Sequence, residues 1–417
     1  MSYREALSNR EYRGLIVAQV ASQWGDQLAR LALALLVYQG TNSAFLASLA
    51  FATTYLPDVI GGPLLGAYAD RLPRRSLMLT CDLVRAVLIG CMALPIGTAP
   101  LLVLLLVAAL FTTPFAAARS ALLPEVLPGP AYLSGLSLAR LLDQVNQALG
   151  LVIGGVVLAL LHPRGALLAD SLTFLVSFVV VLATVQSRPA PRVEVAPGIR
   201  GFLQDIKEGG RIVFRQPLPR ALVMLGWSCG LFCVVPEGVG VVYATEAGYG
   251  GTAAGLLVAA IPAGFTTGLL VLNKIAPGPR QFPMVLRLAI FAHVPLLLTA
   301  LRPPVPVVVV LWFVSGAFQA NLVPVIGAFN LAVPAAVRGR ANGLAAGGLG
   351  LTQTIAIAGG GLVASALDPA AAVAWAAVGG LVVMSVLSAW WPTAELAEVA
   401  ERASAPPAVP EPLPSAP

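Results

Sequence analysis

Runs of about 20 or more apolar residues recur from one end of this chain to the other, and nothing else constrains its fold as strongly. A backbone in hydrocarbon must satisfy its own N–H and C=O groups, so each run reads as a membrane helix. A soluble protein of 417 residues would divide into two or three domains. Composition overrides that reading: 58% of residues are hydrophobic and 11% charged, with a mean hydropathy of +0.86. The net charge of +6 does not indicate a nucleic-acid partner, because the basic residues form no patch and no aromatic residues interleave with them.

Twelve spans are expected. Six fall near Gly14–Tyr38, Ser43–Ala69, Ser76–Gly97, Leu101–Leu122, Ser134–Leu161 and Gly165–Gln186. Six more fall near Ala221–Ala244, Thr252–Leu272, Phe282–Leu301, Val305–Phe329, Ala341–Leu367 and Ala370–Trp391. The expected fold is an all-α integral membrane protein, with two pseudo-symmetric six-helix bundles around a central cavity. Residues 1–187 form the N-terminal half, 188–218 a basic, proline-bearing linker with an amphipathic helix near Gly201–Phe214, and 219–392 the C-terminal half. Residues 393–417, rich in Pro, Ala and Glu, read as a disordered tail. A faint repeat supports the halves. Ser134-Gly-Leu-Ser opens the fifth span and Asn342-Gly-Leu-Ala the eleventh, about half a chain apart, and Gly154-Gly155 is echoed by Gly359-Gly360-Gly361.

The loop Gly66–Arg75, GAYADRLPRR, is far more charged than the spans it joins, so it must face water. By the positive-inside rule its side is cytoplasmic. Most of the 25 Lys and Arg fall on that side, only Arg164 and Arg302 opposite, and Arg30, Arg85 and Arg140 inside the spans. Both termini are then cytoplasmic. The first 13 residues are polar and basic and the first apolar run is long, which is unlike a cleavable signal peptide. The preference for Arg, Ala, Gly and Pro hints at a high-GC bacterial genome, and hence at a bacterial plasma membrane.

The loop resembles the signature loop of the major facilitator superfamily, roughly G-x-x-x-D-R-x-G-R-R. Gly66, Asp70, Arg71, Arg74 and Arg75 match, and Pro73 stands where that family usually has Gly. The resemblance implies that this loop gates alternating access, with Asp70 clamping a helix of the second half; the plainer reading is a basic topology anchor. In the fifth span Gly150-Leu-Val-Ile-Gly154-Gly155 resembles the antiporter signature G-P-x-x-G-G with Leu151 in place of Pro, although a glycine packing face explains it as well. Asp82-x-x-Arg85, Arg119–Pro124 and Arg338-Gly-Arg340 are similar to the drug-efflux, enterobactin-exporter and macrolide-efflux branch. That resemblance implies proton-driven export of a small organic compound such as a drug, siderophore or secondary metabolite, by a monomer, with no cofactor.

Ionisable side chains inside a membrane are costly, about 3 kcal/mol each on insertion scales, so each needs a partner or a wet cavity. In the first span Asp26 and Arg30 are four apart, share a face and can pair, with Gln23 and Gln27 extending the stripe. The pair either senses protons or substrate in the cavity or neutralises itself. Asp58 has no cation within a turn in sequence, and Arg30 or Arg85 is its candidate partner. Asp82 and Arg85, three apart, read as structural. The fifth span is the most polar, with Arg140, Asp143, Gln144, Asn146 and Gln147. Glu237, between Pro236 and Gly238, can face the cavity where the backbone loosens. The coupling candidates are therefore Asp26, Asp58, Asp143 and Glu237, with Arg30 and Arg140 as counter-charges. Gln27, Gln144, Gln147, Gln319, Asn321 and Gln353 are candidates for substrate contact; helix–helix hydrogen bonding is their commoner role.

Cys81, Cys91, Cys229 and Cys233 all lie in apolar runs and read as packing; Cys229 and Cys233 could hold a metal, but no His accompanies them in sequence. No Walker loop is present, which argues against ATP-driven transport. A membrane enzyme would need a clustered constellation at a membrane face, and a receptor or scaffold would need long soluble segments. The remaining competitor is a lipid or lysolipid flippase of the same fold.

Overall fold

The computed structural model describes residues 7–55, 72–127, 130–189, 199–334 and 337–404, with backbone alone at some helical positions, including 140 and 144. The secondary structure of the described residues is helical. In chain order they are α1 (Arg10–Thr41), α2 (Ala44–Thr53), α3 (Arg74–Met92) and α4 (Thr98–Val126). A rod over Pro130–Thr184 breaks at His162 into α5 (130–161) and α6 (163–184). Then follow α7 (Ile199–Arg215), α8 (Pro217–Glu246), α9 (Gly251–Ile275), α10 (Gly278–Leu301), α11 (Val305–Ala332), α12 (Arg338–Ala366), α13 (Pro369–Ala389) and α14 (Thr393–Ser404). All but α7 and α14 correspond to the expected spans. The fold is that of an all-α integral membrane protein, with α1–α6 and α8–α13 as two six-helix bundles around a central cavity.

Local sequence sets the helix ends. Asn9 caps α1 by accepting from the N–H groups of Glu11 and Tyr12 at 2.9 and 3.1 Å. Its amide also donates to the Val126 carbonyl, tying the start of α1 to the end of α4. Ser43 caps α2 and Asp368 caps α13 in the same way. The turns opposite the Gly66–Arg75 loop are tight. Asn42, His162 and Arg302 each take positive φ there, at 50°, 57° and 49°. Three spans are interrupted: α4 at Phe111, α8 at Cys233 and Val234, and α11 at Ala320 and Asn321.

Two segments lie outside the bundles. Helix α7 buries Val213 and lays Gly209 against the Arg340 carbonyl of α12, with Glu208 and Arg340 paired at 2.7 Å. The segment expected to be disordered from residue 393 instead starts with α14. Leu396 and Val399, three apart, share its buried face, and Glu395 accepts from the Leu218 N–H. The proline-rich composition belongs to residues 405–417, outside the described part.

The two halves meet on the side away from the Gly66–Arg75 loop, hereafter the far side. The Tyr38 hydroxyl donates to Glu246 at 3.0 Å, the Phe45 N–H to Ser365 Oγ at 2.8 Å, and Ser48 Oγ to the Gly238 carbonyl at 3.0 Å. Helices α5 and α9 cross there with their backbones touching. A Cβ on Gly155 would stand 2.6 Å from Gly255 Cα, and one on Gly255 2.5 Å from Gly155 Cα. Only glycine at both positions permits this approach.

Candidate functional site: the cavity between the halves

Toward the loop side, α8, α11 and α12 line a cavity of about 650 Å³ whose wall carries Trp227, Phe329, Asn330 and Asn342. It shares Phe265, Leu322, Leu349 and Gln353 with a deeper cavity of about 140 Å³. There Gln147 of α5 meets Glu237, Gln319 and Gln353. The break in α8 delivers Glu237: Pro236 and Glu237 open a new helical segment after the interruption at Cys233 and Val234.

The floor of this deeper cavity is polar and joins the halves. The Tyr55 hydroxyl, from the N-terminal half, donates to Glu237 Oε2 at 2.7 Å in a buried charge-assisted hydrogen bond. The Arg30 guanidinium lies over the Tyr55 ring, 5.1 Å from its centroid, and 6.0 Å from that of Phe51. Its charge also acts on Glu237. Asp26 is therefore not the partner of Arg30. Arg30 donates to Gln27 Oε1 at 3.2 Å, and Asp26 pairs with Arg85 of α3. Sequence spacing allowed a pair within α1, but a guanidinium from the adjacent helix occupies the carboxylate. Likewise Asp82 takes the Ser177 hydroxyl at 2.7 Å rather than Arg85.

Asp143 is met by amides. Gln19 and Gln23 both donate to its Oδ1, the latter at 2.6 Å. Asn146 joins Trp24 and Gln23 in the same α1–α5 seam. Gln27 packs against Gly150, and Gly154 against the Leu28 backbone, so the glycines resembling an antiporter signature serve close packing. Asn321 sits at the break in α11, fully buried, and donates to the Val285 carbonyl away from the cavity. The Arg140 and Gln144 side chains, and all of Asp58, Gly66, Asp70 and Arg71, lie outside the described residues.

Of the signature arginines, Arg74 donates to the Ala121 carbonyl at 2.9 Å and pairs with Glu125, and Arg75 donates to the Leu182 carbonyl. Glu125 also faces Arg188, which grips Glu11 at 2.5 and 2.9 Å. Burial alone would raise the Glu11 carboxyl, but the Arg188 guanidinium and the Gln186 N–H outweigh it and hold the group below its usual range. This network binds the loop-side ends of α1, α3, α4 and α6.

Residues 15–297 match the Major Facilitator Superfamily. The chain belongs to that superfamily. Its apolar helices make it a multi-pass membrane protein. Among its relatives, an uncharacterized MFS-type transporter of Bacillus subtilis, YfiS, is 28% identical over 210 residues, covering 49% of each chain. One of Mycobacterium bovis, Mb0038c, is 32% identical over 204 residues, covering 46% of this chain and 45% of its own. The chain spans about half the length of these curated relatives. The fold resembles that of a peptide transporter POT in complex with sulfate, with a TM-score of 0.71 at 14% identity, covering 96% of this chain and 99% of the other. It also resembles that of a bacterial homolog of the human lysosomal transporter Spinster in an inward-facing, unoccupied conformation, with a TM-score of 0.69 at 13% identity and 96% and 99% coverage.

Three site features escaped sequence reasoning. Tyr55 was missed because its role depends on a partner 182 positions away. Asp170 in α6 is fully buried, and the signal was a lone carboxylate in an apolar span. His293 lies 3.3 Å from Cys233 Sγ, the thiol–imidazole proximity that the sequence alone did not reveal. Among the described residues no group of three potential ligands is placed to hold a metal.

Proposed function

We propose that this transporter exports a small organic compound across a bacterial plasma membrane by proton antiport, working as a monomer with both termini and the Gly66–Arg75 loop in the cytoplasm. The carrying observation is the contact of Tyr55 with Glu237 beneath Arg30. It puts an ionisable group where the two halves close the inner end of a cavity that widens toward the loop side. Protonating Glu237 turns a charge-assisted hydrogen bond into a neutral one and weakens its attraction to Arg30. That loosens the far-side closure and favours the opposite access state. The amides of Gln147, Gln319 and Gln353, with Trp227 and Phe265 beside them, offer hydrogen bonds and flat apolar surface to an organic molecule. The signature-loop match, with Arg74 and Arg75 anchored to α4 and α6, supports a gating role for Asp70 and Arg71.

The test is efflux from an efflux-deficient bacterial host loaded with dyes, antibiotics and siderophores, with and without a protonophore. Protonophore-sensitive extrusion that falls in Glu237→Gln supports the proposal. Extrusion indifferent to the protonophore refutes proton coupling. No extrusion of any organic compound, with movement of labelled lysolipid between leaflets, would replace the exporter by a lipid flippase. For gating, an Asp70→Asn protein that turns over normally removes Asp70 from the mechanism.

A further inference from the structure

Behind the Asp26–Arg85 pair, α1, α3 and α6 enclose a set of charges whose balance does not close. Asp82 and Asp170 are both 0% exposed, and Arg85 is 2% exposed. Arg85 contacts Asp26 and the Ser22 hydroxyl, and its guanidinium stacks 4.0 Å from the Phe174 ring centroid. Asp82 accepts the Ser177 hydroxyl on Oδ2, while its Oδ1 has no hydrogen-bond partner. Asp170 receives only the Thr173 hydroxyl on Oδ1, at 3.3 Å, and its Oδ2 has none. The helices are in close contact at this point: a Cβ on Gly25 would stand 2.0 Å from Asp170 Oδ1.

The charged groups acting on Asp170 are Asp26 from α1 and Arg85 from α3. Asp82 also lies within the influence of both, and Cys81 is the titratable neighbour of Asp82 and Arg85. Among the described residues, three carboxylates thus share one guanidinium. Fully ionised, the set would carry two uncompensated negative charges in a region closed to water, which membrane proteins avoid by pairing or by protonation. Arg85 is committed to Asp26, so the two carboxyls behind it, each with an unpartnered, fully buried oxygen, need a proton; Asp170 is the less supported of the two, with one hydroxyl at 3.3 Å against 2.7 Å at Asp82.

We propose that Asp170 is a proton-storage site inside the N-terminal half, with Asp26 as its port and Arg85 as the counter-charge that moves between them. Asp26 and Arg85 line a small cavity of about 50 Å³ between α1, α2, α3 and α4, and the Asp26 side chain is 28% exposed, whereas Asp170 is sealed. The step balances without a further reactant. The proton leaves the Asp170 carboxyl and arrives on Asp26. Arg85 turns from the neutralised Asp26 to the ionised Asp170, and the net charge of the set stays constant. Asp26 then exchanges its proton with cavity water. The inference rests on the proton-coupled reading for its physiological meaning, but the storage site has its own readout.

The experiment is infrared spectroscopy of the full chain in lipid nanodiscs at neutral pH, following the carbonyl stretch of protonated, buried carboxylic acids. Asp170→Asn, an isosteric mimic of the protonated acid, should remove one acid's share of that band. Asp26→Asn should also remove one acid's share while Asp170 is still present. Without its first partner, Arg85 turns inward and ionises a buried carboxyl. A structural role for Asp26 predicts no such loss. An unchanged band in Asp170→Asn overturns the proposal, as does an unchanged band in a folded Asp26→Asn protein. If Asp170→Asn does not fold, Asp170→Glu replaces it: a shift of one acid's share of the band is expected, and a band unchanged in position and size overturns the proposal. The expected band changes with efflux indifferent to a protonophore would retain the storage site and reject proton-driven transport.

Discussion

The α5–α9 crossing makes a quantitative test of how the halves close. Replacing Gly155 by Ala puts a methyl 2.6 Å from Gly255 Cα and 2.9 Å from the Gly251 carbonyl. Carbon contacts settle at about 3.5–4.0 Å, so the two helices must part by about 1 Å. Both neighbours are backbone, and no side chain can rotate away to relieve the contact. Overpacking of this kind costs about 1–3 kcal/mol. The penalty falls only on the state in which these helices touch, so the far-side-closed population should drop about 5- to 150-fold relative to the open one. Ser48 reports that change. It is fully buried in the seam and donates to the Gly238 carbonyl. In a Ser48→Cys protein whose Cys91 is replaced, a membrane-impermeant maleimide added outside cells should label faster when Gly155→Ala is present. Gly359→Ala, whose new methyl meets nothing within 4 Å, is the control. Equal labelling in the two alanine variants would refute the reasoning that this crossing belongs to one access state.

Other expectations follow the same physics. Tyr55→Phe removes the donor to Glu237 and should weaken far-side closure by about 1–3 kcal/mol, read by the same labelling rate. Glu11 is held below the usual carboxylate range, so its contribution to stability is fully present above the pH at which the unfolded chain's carboxyl titrates and is lost as pH falls through its lower folded value. Thermal unfolding in detergent should therefore lose stability at acid pH, and Glu11→Gln should flatten that dependence. Gly264→Ala puts a methyl 1.9 Å from the Phe313 carbonyl, where α9 and α11 pack within the C-terminal half. It should lower the unfolding temperature and yield of folded protein, while Gly359→Ala leaves both unchanged.

Much of the architecture was legible without coordinates. Span positions follow from runs of apolar residues, because a membrane rewards nothing else, and the even count with clustered Arg sets which ends share a side. Glu237, a carboxylate between Pro236 and Gly238, lies where α8 breaks and lines the deeper cavity. Sequence spacing failed where the partner comes from another helix. Within α1 the i, i+4 rule makes Asp26 and Arg30 neighbours, yet each turns to a group elsewhere in the bundle, because three-dimensional packing supplies Arg85 to one and an aromatic face to the other. For Asn321 the alternatives were cavity or packing, and the α11 break decided for packing against α10.

What the chain by itself determined is its class. The apolar spans, the charged loop and the glycine pattern define a twelve-span membrane fold of this superfamily, since backbone satisfaction in lipid allows few other outcomes. What only the tertiary structure decided is which charges meet. Tyr55 and Glu237 lie 182 positions apart and touch because the halves close on the far side. Asp170 shares the neighbourhood of Asp26 and Arg85 because Gly25 lets α6 reach the α1 backbone. Those pairings depend on long-range approach of helices, and no local pattern in sequence encodes distance between them.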